Sequence, residues 1–175
     1  GYAFPTAIGC KLGAPERHVD EREIDLRTAD VVFNRKEPPF DLAYLYLTQL
    51  LALLEPEVFV INAPRGVQKA NEKLYILEFG RWIPPTIVSN QPDRIERFQL
   101  ENRIDLILKP LDQKGGTGIK LFRRKAKDRR KLLNQMTRRG TQWIMAQKYL
   151  SENDTQGDKR ILLLNGKGIG QFRKV

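Results

Sequence analysis

Apolar positions along this chain fall into short runs divided by prolines, glycines and charges. "ADVVFNR" (29–35) is a brief apolar run ending in a charge, the pattern of a buried parallel strand. "KEPPFD" (36–41) reads as a loop, because Pro38 and Pro39 remove backbone donors and fix φ. Asp41 then stands where a helix needs its N-cap. The helix predicted after it runs to about Glu55, carries apolar residues almost all round, and is expected to be well buried and ended by Pro56. "EVFVIN" (57–62) reads as a second strand, and residues 64–80 as a second helix with Asn71, Glu72 and Lys73 near its middle. Strand, helix, strand, helix is the order of a parallel sheet with crossovers.

"PPTIVS" (84–89) breaks this rhythm with a proline pair, which predicts a lobe boundary between residues 1–83 and 84–175. Beyond it the pattern gives a helix (91–101), a strand (104–110), a glycine-rich loop, a strand (119–122), a basic helix (126–138) and a strand (141–150). In "KRILLLNGKGIGQF" the pair Asn165-Gly166 separates two apolar runs, a strong short-range hairpin signal. The expected fold is therefore a parallel-sheet α/β lobe followed by an antiparallel α+β lobe with helices on one side. Residues 1–28 mix charges without a period and receive no element.

Composition narrows the class of partner. The 175 residues suffice for one medium domain or two small lobes, and 41% of them are apolar, enough for a core. Lys and Arg number 31 against 21 Asp and Glu, a net charge of +10 that favours anionic partners such as nucleotides, nucleic acid or acidic metabolites. Cys10 is the one cysteine and His18 the one histidine, which excludes a disulfide framework and a Cys/His zinc site and suits a reducing cytoplasm. The N-terminus lacks a basic region followed by an apolar stretch, and the longest apolar segment (42–54) is interrupted by Thr48 and Gln49 and is too short to span a bilayer. The expectation is a soluble, cytoplasmic protein that does not engage a membrane.

The densest chemistry lies in "LKPLDQKGGTGI" (108–119), where an apolar run leads into Lys109 and then into three glycines within four positions. Glycines leaving a strand let backbone N–H groups converge on an anion, or simply make a tight turn. The loop has neither the G-x-x-x-x-G-K-[ST] spacing nor a G-x-G-x-x-G between strand and helix; Gly166-Lys167-Gly168-Ile169-Gly170 is misspaced and belongs to the hairpin. Lys109 at the end of an apolar strand needs a counter-charge, which a polyphosphate would supply, or else it snorkels to solvent. Together, the lysine and the glycines favour a phosphate cradle.

Five separated blocks, "RKEPPFD" (35–41), "NEKL" (71–74), "ILKPLDQKGGTGI" (107–119), "MAQKYL" (145–150) and "GDKRILLLNG" (157–166), stand in an order and approximate spacing that resemble the bacterial glutathione synthetase family of the ATP-grasp superfamily. The resemblance covers roughly residues 29–170. It implies an ATP-grasp nucleotide-binding lobe over 84–175 and part of an N-terminal substrate lobe over 1–83. It also implies ATP-dependent joining of γ-glutamylcysteine and glycine through an acyl phosphate, with Mg²⁺ beside the ATP. The resemblance puts Lys73 and Lys109 on the ATP phosphates, under a loop of Gly115, Gly116, Thr117 and Gly118. It puts Gln147, Lys148, Tyr149 and Leu150 along the adenine, Asp158 on the ribose hydroxyls and Arg160 on the phosphate and substrate side, as the catalytic residue. Arg35 and Asp41 are implied near the acidic dipeptide.

Each position also has a plainer reading. Asn71-Glu72-Lys73 can be an ordinary polar helix face, Tyr149 and Leu150 plain core, Asp158 and Arg160 a weak cross-strand pair, and Pro38-Pro39 a strand terminator. The family pattern continues past the hairpin with an acidic residue, a Glu-x-Asn pair for magnesium and a basic loop, none of which this sequence supplies. Its metal ligands are therefore unknown. The expectation is a fragment, or a join of ordered segments, not competent as a ligase alone. Rival readings are an ATP-grasp ligase adding glutamate to a protein or peptide, a nucleotide-binding lobe without chemistry, and a nucleic-acid-binding module. The last rests on ten Lys or Arg residues between Lys120 and Arg139 against Asp128 alone; with only Phe122 there to stack on bases, a solvated helix face is the preferred reading. A homo-oligomer is left open.

Overall fold

The computed structural model describes residues 24–70, 73–113, 115–152 and 157–174. They form two compact units: the first holds the described residues up to Ile83 together with Pro110–Gly118, the second Pro84–Lys109 and the described residues from Ile119 onward.

In the first unit, β1 (Val31–Phe33) and β2 (Phe59–Ile61) pair in parallel, with Val32 opposite Val60. These two valines pack with Leu51, Leu54 and Val58 into a small core. Between the strands runs α1 (Leu42–Ala52). Asp41 is its N-cap, in extended backbone, and its carboxylate accepts from the Tyr44 N–H at 2.8 Å. Asp41→Ala should lower the stability of this unit by about 1 kcal/mol, visible as an earlier denaturant midpoint, and Asp41→Ser should restore most of it. The hydroxyl of Thr48, fully buried, accepts from Gln68 on α2 (Pro64–Lys69), tying the two helices.

Two expectations for this unit need correction. The apolar circumference of α1 does not make it buried all round: Tyr44, Thr48 and Leu51 are buried, while Leu42, Tyr46 and Leu50 are exposed, because a two-stranded sheet covers one side of a helix. The single helix expected over 64–80 is broken. α2 stops at Lys69, Ala70 turns out of helical backbone (φ −99°, ψ 52°), and a 3-10 segment, Leu74–Trp82, follows with a kink at Phe79. Lys73 precedes that segment rather than lying mid-helix, and Asn71 and Glu72 fall outside the described residues.

The second unit is built on a four-stranded sheet in the order β3 (Thr86–Ser89), β6 (Ile144–Lys148), β4 (Leu106–Pro110), β5 (Lys120–Phe122). β3 runs antiparallel to β6, and β4 antiparallel to β5. α3 (Pro92–Asn102) and α4 (Arg129–Met136) cover one face: Ile95 and Leu133 join Leu106, Leu108, Phe122, Ile144 and Ala146 in a fully buried core. Helices thus lie on one side of this sheet, as expected. A buried polar link crosses the core. Gln99, fully buried, donates to the Phe122 carbonyl at 2.7 Å and accepts from Arg129 at 2.8 Å. The Arg129 guanidinium also meets Glu96 at 3.1 Å and lies 5.3 Å from the centre of the Phe122 ring.

β3 is the element the sequence pattern failed to show. Its Thr-Ile-Val core suits a strand, but Pro84-Pro85 looks like a break. The prolines precede the strand, where the missing N–H groups do no harm, and the Pro85 carbonyl accepts from the Lys148 N–H at 2.8 Å. β7 (Asp158–Leu164) and β8 (Lys167–Lys174) form a separate two-stranded antiparallel sheet rather than extending the larger one. Their turn is the expected Asn165-Gly166, with φ of 49° and 75°, the positive pair that a type I′ hairpin requires.

Candidate nucleotide site

Along β4 burial alternates, with Leu106 and Leu108 in the helix-covered core and Ile107 and Lys109 half-buried. Successive strand side chains point to opposite faces, so Lys109 stands on the face turned away from α3 and α4. On β6, Ile144 and Ala146 belong to the core, which puts Gln147 on the same face as Lys109. The two meet: the Lys109 ammonium donates to Gln147 Oε1 at 2.8 Å. Gln147 is 7% exposed, so its amide must be satisfied within the protein, and its Nε2 donates to Thr86 Oγ1 at 2.8 Å.

Just past Gln147 the chain leaves the sheet. The Lys148 N–H is held by Pro85 and the Tyr149 N–H donates to the Asp105 carbonyl at 2.9 Å. These bonds fix the path of 147–150 and engage two of its backbone donors. Lys148 and Leu150 are exposed and Tyr149 is half-buried. Tyr149 is therefore not plain core. In the hairpin, Asp158 and Arg160 lie on β7, with the Cα of Arg160 opposite Phe172; Arg160 is exposed.

In the first unit the glycine loop has the backbone a cradle needs. Gly115, Gly116 and Gly118 have φ of +62°, +84° and +71°, the left-handed region that favours glycine. A Cβ on Gly115 or Gly116 would meet nothing, whereas on Gly118 it would lie 3.0 Å from Pro110 Cγ. Thr117 and the three glycines are exposed. Gly118→Ala should therefore destabilise the loop by about 1–2 kcal/mol from backbone strain, with steric pressure from Pro110 added. Gly115→Ala should show the strain alone; the two are compared by chemical denaturation. Lys73 comes to the start of this loop, where its ammonium donates to the Gln113 carbonyl.

Arg35 follows β1 and is exposed. The segment after it packs around Tyr44, with the Phe40 ring 5.0 Å and the Lys36 ammonium 5.7 Å from its ring. Burial pushes the Tyr44 phenol above its ordinary pKa, and the Glu37 charge adds to this. Asp41, at the end of the segment, is engaged as the helix cap. Sequence reasoning missed Thr86: a threonine after a proline pair gives no chemical signal until its partner on β6 is known.

The basic stripe is partly answered within its own unit. Arg129 and Arg130 both face Glu96, Arg130 also pairs with Asp93, and Arg124 lies 3.9 Å from Asp105. Among the described residues no three His, Cys, Asp or Glu side chains gather into a group that could hold a metal ion. No helix among the described residues is long and apolar enough to cross a membrane.

The fold and sequence have relatives. Among solved structures, the D-cycloserine synthetase DcsG is similar over 86% of this chain and 54% of its own, with a TM-score of 0.68 at 16% identity, a likeness of fold. The ATP-grasp ligase PsnB, complexed with a phosphomimetic variant of its minimal precursor, Mg and ADP, is 25% identical over 74% of this chain and 40% of its own, with a TM-score of 0.51. A glutathione synthetase of Nitrosomonas europaea is 45% identical over 97% of this chain and 53% of its own length. The chain spans about half the length of the curated relatives it matches. The family model for the prokaryotic glutathione synthetase N-terminal domain matches residues 11–68, and that for the ATP-grasp domain of the same enzymes matches residues 72–175. With an α/β unit, an antiparallel unit and both family models in succession, the chain belongs to the prokaryotic glutathione synthetase family and has the ATP-grasp fold.

Proposed function

We propose that the protein at its natural length is an ATP-dependent carboxylate–amine ligase that joins γ-glutamylcysteine to glycine. The observation that carries this reading is Lys109, an ammonium held by the neutral Gln147 oxygen on the helix-free face, on the strand that leads directly into the glycine loop. An ammonium oriented at the end of a strand can meet an anion, and a loop of left-handed glycines can turn its N–H groups onto phosphate oxygens.

A carboxylate is a poor electrophile. Its oxygen attacks the γ-phosphorus of ATP, the bond to the ADP oxygen breaks, and the acyl phosphate so formed carries a good leaving group. The glycine amine then forms the C–N bond, phosphate departs with the C–O electron pair, and the amine loses its proton. In this chain Lys109 and Lys73 would bind phosphate oxygens, and Gly115, Gly116, Thr117 and Gly118 would fold over them. Gln147, Lys148, Tyr149 and Leu150 would line the adenine, Asp158 would accept from the ribose, and Arg160 would face the reacting phosphate and carboxylate. Arg35 would meet the acidic dipeptide, with Asp41 holding that segment through its cap. Magnesium is the expected companion of the nucleotide, where it would neutralise phosphate charge. We place the protein in the cytoplasm, where ATP and thiol substrates occur.

The test supplies ATP, magnesium, γ-glutamylcysteine and one amine at a time to the protein at its natural length and follows products by mass. Tripeptide from glycine, with one ADP and one phosphate per bond, is expected. Product from glutamate in place of glycine would favour the glutamate-adding ligase and overturn the substrate assignment.

A further inference from the structure

We infer that Thr86 is a positioning residue for Lys109, acting through the side-chain amide of Gln147. The inference deepens the proposed nucleotide site and rests on that reading. The direction of each hydrogen bond in the chain follows from its ends. The Pro84 carbonyl can only accept, and it takes the hydroxyl proton of Thr86 at 2.6 Å. Thr86 Oγ1 then has only lone pairs to offer, so the group facing it at 2.8 Å must be the Gln147 NH₂. This turns Gln147 Oε1 toward Lys109, whose ammonium can only donate and does so at 2.8 Å. A flipped amide would set NH₂ against ammonium and a carbonyl oxygen against hydroxyl lone pairs. Both ends forbid it.

The arrangement has a functional consequence. A glutamate at 147 would also hold the ammonium, but as an ion pair that neutralises it. The glutamine oxygen orients the Lys109 ammonium without itself adding a negative charge, provided the amide points the right way. Thr86 supplies that condition. β3 delivers it: in the antiparallel register Thr86 lies directly opposite Gln147.

The test is a double-mutant cycle on nucleotide affinity with Thr86→Val and Lys109→Met, and with Thr86→Ser as the variant that keeps the hydroxyl. Thr86→Val should weaken ATP binding about five- to ten-fold, the effect of one misdirected hydrogen bond, and Thr86→Ser should restore it. With methionine at 109, Thr86→Val should have no further effect, because its action runs through the ammonium. Equal ATP affinity of Thr86→Val and the unaltered protein would overturn the inference. So would losses that simply add, since they would mark Thr86 as a structural residue alone. Should the valine variant not fold, Thr86→Ala takes its place in the cycle. Failure of the unaltered protein to bind ATP would remove the functional reading itself, a separate result from failure of the cycle.

Discussion

Lys109→Met is expected to weaken ATP binding roughly 10- to 100-fold, the range of a charge-assisted hydrogen bond to an anion. Methionine keeps the unbranched stem, so the packing at the end of β4 is retained while the charge is removed. The half-exposed position allows water to reach the Gln147 oxygen that loses its donor. The thermal midpoint should therefore hold, and adenosine, which carries no phosphate, should bind as before. Calorimetric titration with ATP, ADP and adenosine reads all three. A loss below two-fold for ATP would mean that Lys109 does not meet phosphate.

Phe122→Ala should lower the stability of the second unit by about 3–5 kcal/mol, the usual range for emptying an aromatic site in a packed core. The ring is fully buried among residues from both helices and three strands. It also lies under the Arg129 guanidinium, and its carbonyl holds Gln99. Phe122→Leu, which keeps most of the volume, should lower stability by about 1 kcal/mol. Because Phe122 is paired with Leu106 on β4, the loss undermines the strand that carries Lys109, and nucleotide binding should fail at lower denaturant. Equal stability of the alanine variant would contradict the packing described for this face.

The features legible in the sequence are those whose cause is local. Asn165-Gly166 announces its turn because the two positive φ values of a type I′ turn select those residues. Asp41 announces a cap because an aspartate before an apolar helical run has one obvious use. The break between α2 and the following 3-10 segment was hidden, since no proline or glycine marks Ala70. β3 was hidden behind its own prolines. Links between distant positions were the least legible: 38 residues separate Lys109 from Gln147, and 61 separate Gln147 from Thr86. The family resemblance drew attention to the first pair, but neither propensity nor period says that their side chains touch. Burial of a neutral amide between a cation and a hydroxyl becomes visible only when the register of β3, β6 and β4 is known.

The ATP site that we propose for this chain is tested most directly by titrating it with ATP in the presence and absence of a polynucleotide. One saturable site for ATP is expected, weakened by Lys109→Met and unaffected by DNA or RNA. No ATP binding, together with tight polynucleotide binding that falls steeply as salt rises, would contradict it and return the basic stripe to the centre of the protein's function.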